Sequence, residues 1–166
     1  VTYNAAISAC AKGAQWQEAL GMLSQMRLLF LEPSLITHHA ALSACGAGAA
    51  WNEVFRMFAV MRARGVEPIV ITYNTAISAC EKGARFTSAL ELFADMRPHG
   101  VEPSQVTFNA AISACETGAR WHKALELVSN MRSRSLENVV IGFNSAISAC
   151  EKGAQYREAL GLVSDM

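Results

Sequence analysis

The chain has 166 residues, of which 52% are hydrophobic and 17% charged, a composition that suits one compact region of ordinary domain size. Lysine plus arginine and aspartate plus glutamate number 14 each, and this net charge of zero excludes a general attraction to nucleic acid or to an anionic membrane. No stretch approaches the roughly 18 apolar residues of a membrane span, so we expect no membrane association. The chain begins without Met, shows no targeting segment and ends inside a repeated pattern, so we expect it to be part of a longer protein.

The first predicted element is a helix over residues 2–12, for which Thr2 is a suitable N-cap. Gly13 is expected to supply the left-handed residue that commonly ends a helix. A second helix is predicted over residues 15–27, followed by a short connection. The second helix is predicted from one apolar stripe with helical spacing, which consists of Trp16, Ala19, Leu20, Leu23 and Met26.

The same two elements then recur with a step of 35 residues and no insertion. Glycine marks the end of each first helix, and one aromatic side chain opens each second helix. The five cysteines follow the same step, at Cys10, Cys45, Cys80, Cys115 and Cys150. The sequence therefore predicts an all-α fold, an α-solenoid of stacked antiparallel helix pairs in a right-handed superhelix. We expect a single array over residues 1–166, with units 1–34, 35–69, 70–104, 105–139 and 140–166, the first and last incomplete.

The cysteine pattern favours a role in core packing over a role in metal binding or redox chemistry. Cys10 shares a helical face with Tyr3 and Ile7, where cysteine acts as a small buried apolar residue. Equivalent residues in stacked repeats lie about one helix diameter apart, ~10 Å, which exceeds the ~7 Å Cα separation that a disulfide tolerates. The cysteine count is odd and no C-x-x-C pair occurs, so neither a disulfide framework nor a metal site is expected.

A second, polar stripe runs along the first helix of each unit and is not explained by the core. Asn4, Ser8 and Lys12 lie at spacings of four residues, and four of the five units carry Asn at the first of these positions. One interpretation is that Asn braces the first turn while Lys is a solvated charge. The alternative is a ladder that reads one RNA base per repeat, with phosphate contacts beside it.

In its recurring sequence motifs the chain resembles the pentatricopeptide repeat family over its whole length. The resemblance rests on the 35-residue step, on VTYN at residues 1–4, ITYN at 71–74 and VTFN at 106–109, on EAL at 18–20 and 158–160, and on GVEP at 65–68 and 100–103. It implies an RNA-binding solenoid that acts in mitochondria or chloroplasts on transcript processing, editing, stability or translation. Tetratricopeptide repeats, which run at 34 residues, are the nearest competing family.

The resemblance also implies which residues read bases. In the family, the Asn position of a repeat acts together with the last residue of that repeat, and an Asn–Ser pair implies a preference for cytosine, with uracil second. The implied base-reading residues are Asn4 with Ser34, Asn74 with Ser104, Asn109 with Val139, and Asn144, whereas His39 with Ile69 falls outside the pattern and the second unit is a candidate spacer.

Two further columns follow from the resemblance. A branched apolar residue that packs on base faces opens each phrase, at Val1, Ile36, Ile71, Val106 and Ile141. The implied phosphate contacts are Lys12, Lys82 and Lys152. Given the zero net charge, we expect modest affinity from so short an array.

Catalysis is not predicted. The four histidines have no nucleophile or carboxylate at motif spacing, and no phosphate loop or zinc signature appears, so we expect no enzyme and no cofactor. The predicted partner is single-stranded RNA, with protein partners through missing or irregular repeats. The competing hypothesis is a protein-binding scaffold in an organellar ribonucleoprotein. This hypothesis is favoured by the irregular second unit and by the neutral net charge.

Overall fold

Every regular element in the described part of the chain is helical. The computed structural model describes residues 2–134, 136 and 140–164. The α-helices in chain order are α1 Thr2–Lys12, α2 Trp16–Leu28, α3 Leu35–Ala47, α4 Trp51–Ala63, α5 Val70–Lys82, α6 Phe86–Met96, α7 Gln105–Thr117, α8 Trp121–Ser133, α9 Val140–Lys152 and α10 Tyr156–Ser164. The all-α prediction is confirmed, and α1 and α2 lie within a residue of their predicted bounds. None of the described helices is long and apolar enough to cross a bilayer.

The chain divides into two compact units, residues 1–79 and 80–166, with the boundary inside α5. In the first unit α1 packs beside α3, and α2 and α4 both contact α3. In the second unit α7 packs beside α9, α6 and α8 contact α7, and α8 and α10 contact α9. Within each unit, therefore, the odd-numbered helices that open successive repeats lie side by side, as the predicted stacking of helix pairs requires.

Alanines are prominent among the fully buried residues of the opening helices. Ala41 and Ala44 of α3 and Ala111 and Ala114 of α7 are fully buried. Side chains this small let two helix axes approach closely, so that the larger residues of each repeat fill the space beside them. In the second unit Phe108 is buried and meets Phe93 of α6 edge to face, with ring centroids 5.0 Å apart.

The residue that ends each opening helix differs from the prediction. The left-handed backbone conformation falls on the alanine after the glycine, and Gly48 and Gly118 have ordinary φ values of −84° and −90°. The expectation that Gly13 supplies this conformation was therefore wrong. The left-handed residues have φ between 50° and 55° and are Ala14, Ala49, Ala84, Ala119 and Ala154.

Three glycines of this column, Gly48, Gly118 and Gly153, are explained by packing between repeats. A Cβ on Gly48 would lie 2.5 Å from Cδ1 of Trp16, the aromatic residue that opens the second helix of the preceding repeat. Gly118 meets Phe86 and Gly153 meets Trp121 in the same way, each at 2.5 Å. Glycine is required here because the aromatic ring of one repeat occupies the space that a side chain on the next would need.

A true left-handed glycine ends the second helix of two repeats. Gly65 and Gly100 each have φ of 70°, and the N–H of Val66 donates to the Met61 carbonyl across this turn at 2.9 Å. In the first repeat the same position is Phe30, which keeps the left-handed conformation at φ 56° and is 94% exposed. Phe30 therefore bears the backbone strain that glycine avoids, while its ring gains no burial in return.

The buried cysteines match the packing interpretation. Cys45, Cys80, Cys115 and Cys150 are fully buried and Cys10 is half-buried, and all five are free thiols. Burial raises the pKa of Cys45, Cys80 and Cys115 to about 11, so these thiols stay protonated and unreactive at neutral pH. Among the described residues, no cluster of three or more His, Cys, Asp or Glu side chains could hold a metal ion.

The contact between glycine and aromatic ring gives a direct test. A Cβ on Gly118 would lie 2.5 Å from two ring atoms of Phe86 and 3.0 Å from its Cβ, so the whole side chain has to shift. We expect Gly118→Ala to lower the free energy of unfolding by about 1–3 kcal/mol, measured by urea denaturation. Gly21→Ala is the matched control: nothing lies within 4 Å of its Cβ position in α2, and the change should stabilise by about 1 kcal/mol. Equal effects at the two sites would refute the packing role.

Candidate nucleic-acid interface

Two of the predicted base-reading residues, Asn4 and His39, have side chains that reach the next repeat from near the start of their opening helices. Thr37 donates from Oγ1 to Oδ1 of Asn4 at 2.7 Å. In the following repeat the Nε2 atom of His39 lies 2.6 Å from Oγ1 of Thr72. Both threonines are buried, whereas Asn4 and His39 are half-buried. Each link spans 33 residues, so the polar column joins consecutive repeats as well as presenting groups to solvent.

Ser34, the predicted reading partner of Asn4, caps α3. Its hydroxyl accepts a hydrogen bond from the backbone N–H of Thr37 at 3.3 Å, and Oγ1 of Thr37 accepts from the backbone N–H of Ser34 at 3.1 Å. This is a capping box, and Ser104 and Thr107 form another at the start of α7. Threonine thus takes the third helical position in α3 and α7 and serine is the cap, which corrects the expectation, made from Thr2, that the threonine of this phrase caps the helix.

The structure brings Asn4 and Ser34 together through one side chain. Oγ1 of Thr37 lies 2.7 Å from Oδ1 of Asn4 and 3.0 Å from Oγ of Ser34. The two residues that the family resemblance pairs are therefore held around a buried threonine, with Ser34 itself exposed. In the second repeat the backbone N–H of Ile69 donates to Oγ1 of Thr72, but a hydroxyl is lacking where Ser34 has one. Thr37 and Thr72 were not among the predicted site residues.

The fourth repeat carries an interrupted version of this contact. Oδ1 of Asn109 is buried and has no hydrogen-bond partner among the described residues. The residue 33 positions further on is Gly142, and a Cβ there would lie 3.2 Å from that oxygen. Val139, the predicted partner of Asn109, lies outside the described residues. Asn144 is exposed, and Asn74 is half-buried and engaged in an interaction of its own.

The predicted base-packing residues lie on the surface beside this column. They occupy the first turn of the opening helices, where large apolar side chains would otherwise be expected inside. Val1 lies outside the described residues. The exposed fractions are 68% for Ile36, 56% for Ile71, 62% for Val106 and 56% for Ile141.

The predicted phosphate-contacting lysines stand at the ends of the opening helices, and all three are exposed. Lys152 is paired with Glu116 of the preceding repeat, with Nζ 3.0 Å from Oε1. The same carboxylate accepts from Oγ of Ser148 at 2.8 Å, and Glu81 accepts from Ser113 at 2.5 Å. The Glu81 and Glu116 carboxylates thus bind serines of the polar stripe in the following repeat. Glu116 also neutralises Lys152, one of the predicted phosphate contacts.

Sequence reasoning missed these glutamates. They could have been found from the repeat, because they too recur every 35 residues. Each of them directly follows a cysteine of the repeated column, as Glu81, Glu116 and Glu151 show. Burial by itself would raise the pKa of the Glu116 carboxyl, but hydrogen bonds from Lys152 and Ser148 outweigh it and leave the pKa below the ordinary value. Glu116 is therefore ionised at neutral pH and competes for the lysine charge.

Of the two adjacent histidines at the start of α3, His38 is buried and His39 is half-buried. Burial lowers the pKa of both His38 and His39, and the positive charges of Arg27 and Arg64 lower that of His38 further. The His38 ring donates from Nδ1 to the Ser34 carbonyl at 2.9 Å, while its Nε2 is buried without a partner. One repeat later the equivalent residue is Tyr73, whose hydroxyl accepts from Arg62 at 2.9 Å.

The geometry described so far defines a class of protein, an α-helical repeat in which polar groups on successive opening helices share one stripe within each unit. A model of the PPR repeat family matches residues 68–117, and a model of the PPR repeat matches residues 1–29 and 106–136. The chain belongs to the pentatricopeptide repeat family. No curated protein sequence matches it.

Solved structures share the fold. The maize pentatricopeptide repeat protein PPR10 is 28% identical, with a TM-score of 0.74 over 99% of this chain and 24% of its own. PPR10 in complex with an 18-nucleotide psaJ RNA element is 24% identical, with a TM-score of 0.77 over 99% and 23% of the two chains. The PPR domain of Arabidopsis thaliana protein-only RNase P 1, in complex with tRNA, is 14% identical, with a TM-score of 0.79 over 96% and 84%. The chain spans about a quarter of the length of PPR10.

The lowered histidine pKa values predict a pH-dependent stability. The unfolded chain binds protons as pH falls through about 6.5, whereas folded His38 and His39 resist protonation. Stability should therefore be full above pH 7 and decline from about pH 6.5 downward, by at most about 1.4 kcal/mol per pH unit for each histidine. The double variant His38→Tyr/His39→Asn carries the residues of the third repeat and should flatten this decline. Urea denaturation at pH 5, 6 and 7.5 compares the two proteins, and identical pH slopes would contradict the assignment.

Proposed function

We propose that this chain binds single-stranded RNA through its opening helices, one nucleotide per repeat. The observation that carries the proposal is the meeting of Asn4 and Ser34 around Thr37, because it places two independent polar side chains at one point on the surface. The exposed Ile36 lies in the same turn of α3 and supplies an apolar face on which a base can stack. Exposed branched residues in this position contribute little to the core, so contact with a ligand is the role that we propose for them.

The base preference that we propose is pyrimidine, with cytosine favoured over uracil where Asn and Ser act together. The reading residues are Asn4 with Ser34 and Asn74 with Ser104, with Asn109 and Asn144 as single positions. A carboxamide can both donate to and accept from a base edge, and the neighbouring serine adds a hydroxyl. The RNA complexes solved for PPR10 and for the RNase P 1 domain support the proposal by analogy of fold.

We further propose that the protein serves RNA metabolism in a mitochondrion or chloroplast, as the family resemblance implies. The array presents binding groups, and the chemistry of processing, editing or translation is then supplied by other regions or partners. Its modest number of unpaired lysines suits a contribution to binding as part of a longer array.

A second candidate function, protein binding, is favoured by one observation in the first repeat. The last residue of α2 and the three residues after it expose four large apolar side chains in succession, which is unusual for a surface that faces water. Their exposed fractions are 78% for Leu28, 58% for Leu29, 94% for Phe30 and 46% for Leu31. If protein binding were the main role, RNA affinity would be negligible for every sequence tested.

RNA binding can be tested with the reading residues themselves. We expect the chain to bind pyrimidine-rich single-stranded RNA about tenfold more tightly than purine-rich RNA in fluorescence anisotropy. Asn4→Thr combined with Asn74→Thr should reduce that ratio, because the carboxamide donors are lost. The matched control Asn52→Thr changes an exposed Asn of α4 and should leave the ratio unchanged. With at most three lysine contacts, a plot of the log of the association constant against the log of salt concentration should have a slope no steeper than about −2.

The Glu116–Lys152 pair predicts an unusual gain of affinity. Replacing Glu116 by Gln removes the carboxylate that neutralises Lys152, so RNA affinity at low salt should rise several-fold and the salt slope should steepen by about 0.7. Glu126→Gln is the control, since Glu126 pairs with Lys123 on α8 at 2.6 Å and the variant changes net charge equally. If both variants raise affinity equally, only net charge matters and Lys152 has no special contact.

A further inference from the structure

The carboxamide of Asn4 has a defined orientation in the stack. An O–H donor and an oxygen acceptor prefer a separation of about 2.7 Å, whereas an N–H donor and an oxygen prefer about 2.9–3.0 Å. The 2.7 Å contact from Thr37 therefore identifies the Asn4 atom that faces it as the carbonyl oxygen. Since the oxygen and nitrogen of a carboxamide diverge by about 120°, the NH2 group points away from the buried threonine.

Thr37 is itself held in place from three directions. It is 1% exposed, its Oγ1 accepts from the Ser34 backbone at 3.1 Å, and its backbone donates to Ser34 Oγ. The hydroxyl proton of Thr37 is directed to Asn4 because Ser34 can donate its own proton to the same oxygen at 3.0 Å. A buried, doubly held hydroxyl makes a rigid support for the half-buried Asn4 side chain.

The fourth repeat supplies the comparison within the same chain. Asn109 points the same atom, Oδ1, toward residue 142, at the same offset of 33 residues that joins Asn4 to Thr37 and His39 to Thr72. Glycine at 142 offers no hydroxyl, and the Asn109 oxygen is buried without a partner. The amide of Asn4 is thus held by Thr37, whereas the amide of Asn109 has no such support because glycine replaces threonine at position 142.

We propose that the threonine at the third position of each opening helix is a specificity-determining positioning residue for the base-reading side chain of the preceding repeat. By binding the carboxamide oxygen it fixes the orientation of the amide, so that the NH2 donors face away from the threonine and favour a base edge that offers acceptors. Cytosine presents two neighbouring acceptors, N3 and O2, whereas uracil places an N3–H donor between its oxygens. Repeat one is then selective for cytosine, and repeat four, whose Asn109 amide can turn over and accept, is permissive. This inference rests on the proposed RNA binding.

The test exploits the glycine. Gly142→Thr restores the hydroxyl and Gly142→Val adds the same bulk without it, so the tight 3.1–3.2 Å contacts with Met131, Asn109 and Ile112 are common to both variants. Each protein is titrated with oligocytidine in which every position in turn is replaced by uridine. We expect Gly142→Thr to gain about tenfold discrimination against uridine at one further position, and Gly142→Val to gain none.

The converse change is made in the first repeat. Thr37→Val should abolish discrimination against uridine at one position, at the opposite end of the register from the position gained by Gly142→Thr, while Thr37→Ser should retain it. A purely structural role would lower affinity for all of these RNAs alike and would leave the ratios unchanged. Equal discrimination by Gly142→Thr and Gly142→Val, or by Thr37→Val and the parent chain, would overturn the inference.

A melting experiment without RNA separates the two hypotheses. If the hydroxyl holds Asn109, Gly142→Thr should melt about 2–4 °C above Gly142→Val. If no RNA binds to the parent chain, the proposed function fails and the reading role fails with it, and the melting comparison still decides whether the threonine holds the amide. If RNA binds but the two variants do not differ in melting or in discrimination, only the positioning role fails.

Discussion

The close approach of neighbouring opening helices is the constraint on which the rest of the structure depends. Small, fully buried side chains of these helices, such as Ala41, Ala44, Ala111 and Ala114, permit this approach. The aromatic side chain of the adjoining helix then sits directly against the glycine of the next repeat, at a distance that excludes any Cβ. The contact between glycine and ring recurs at the 35-residue step from Gly118 to Gly153, so one packing geometry is repeated within the second unit.

The same geometry decides what the polar residues can do. At this helix separation a side chain at the fourth residue of one repeat reaches the third helical residue of the next, and a hydrogen bond replaces what would be a buried, unsatisfied hydroxyl. The two interpretations of the Asn column, as a brace and as a reading group, are therefore compatible. In the first repeat the carboxamide oxygen of Asn4 accepts a hydrogen bond from Thr37 of the next repeat, and we propose that its nitrogen is the group offered to a ligand. A similar division affects the lysines, since Lys152 is shared between Glu116 and any phosphate.

Periodicity made most of the fold predictable. Helix bounds, the two helices per repeat, and the buried cysteines follow from local patterns that a 3.6-residue period and a 35-residue step reveal. The left-handed residue could not be read in the same way. Glycine is the usual residue at that point of a helix end, yet here the following alanine takes the left-handed conformation, even in the first repeat, where a Cβ on Gly13 would meet no aromatic ring. Likewise, Thr2 suggested a cap by type, whereas the capping box that the equivalent residues Thr37 and Thr107 form with a preceding serine appears only in the folded turn.

The sequence by itself determined the class of fold, the period, and the columns of residues that could contact RNA, because these depend on spacing along one chain. Only the tertiary structure decided which of those groups are already engaged. Asn4 and Ser34 meet through Thr37, Asn109 faces a glycine, and Lys152 faces Glu116. The contacts Asn4–Thr37, Asn109–Gly142 and Glu116–Lys152 join residues 33 to 36 positions apart. The physical reason is that hydrogen bonds form across the contact between repeats, so their partners are set by how closely the helices pack, and not by the residues beside them in the chain.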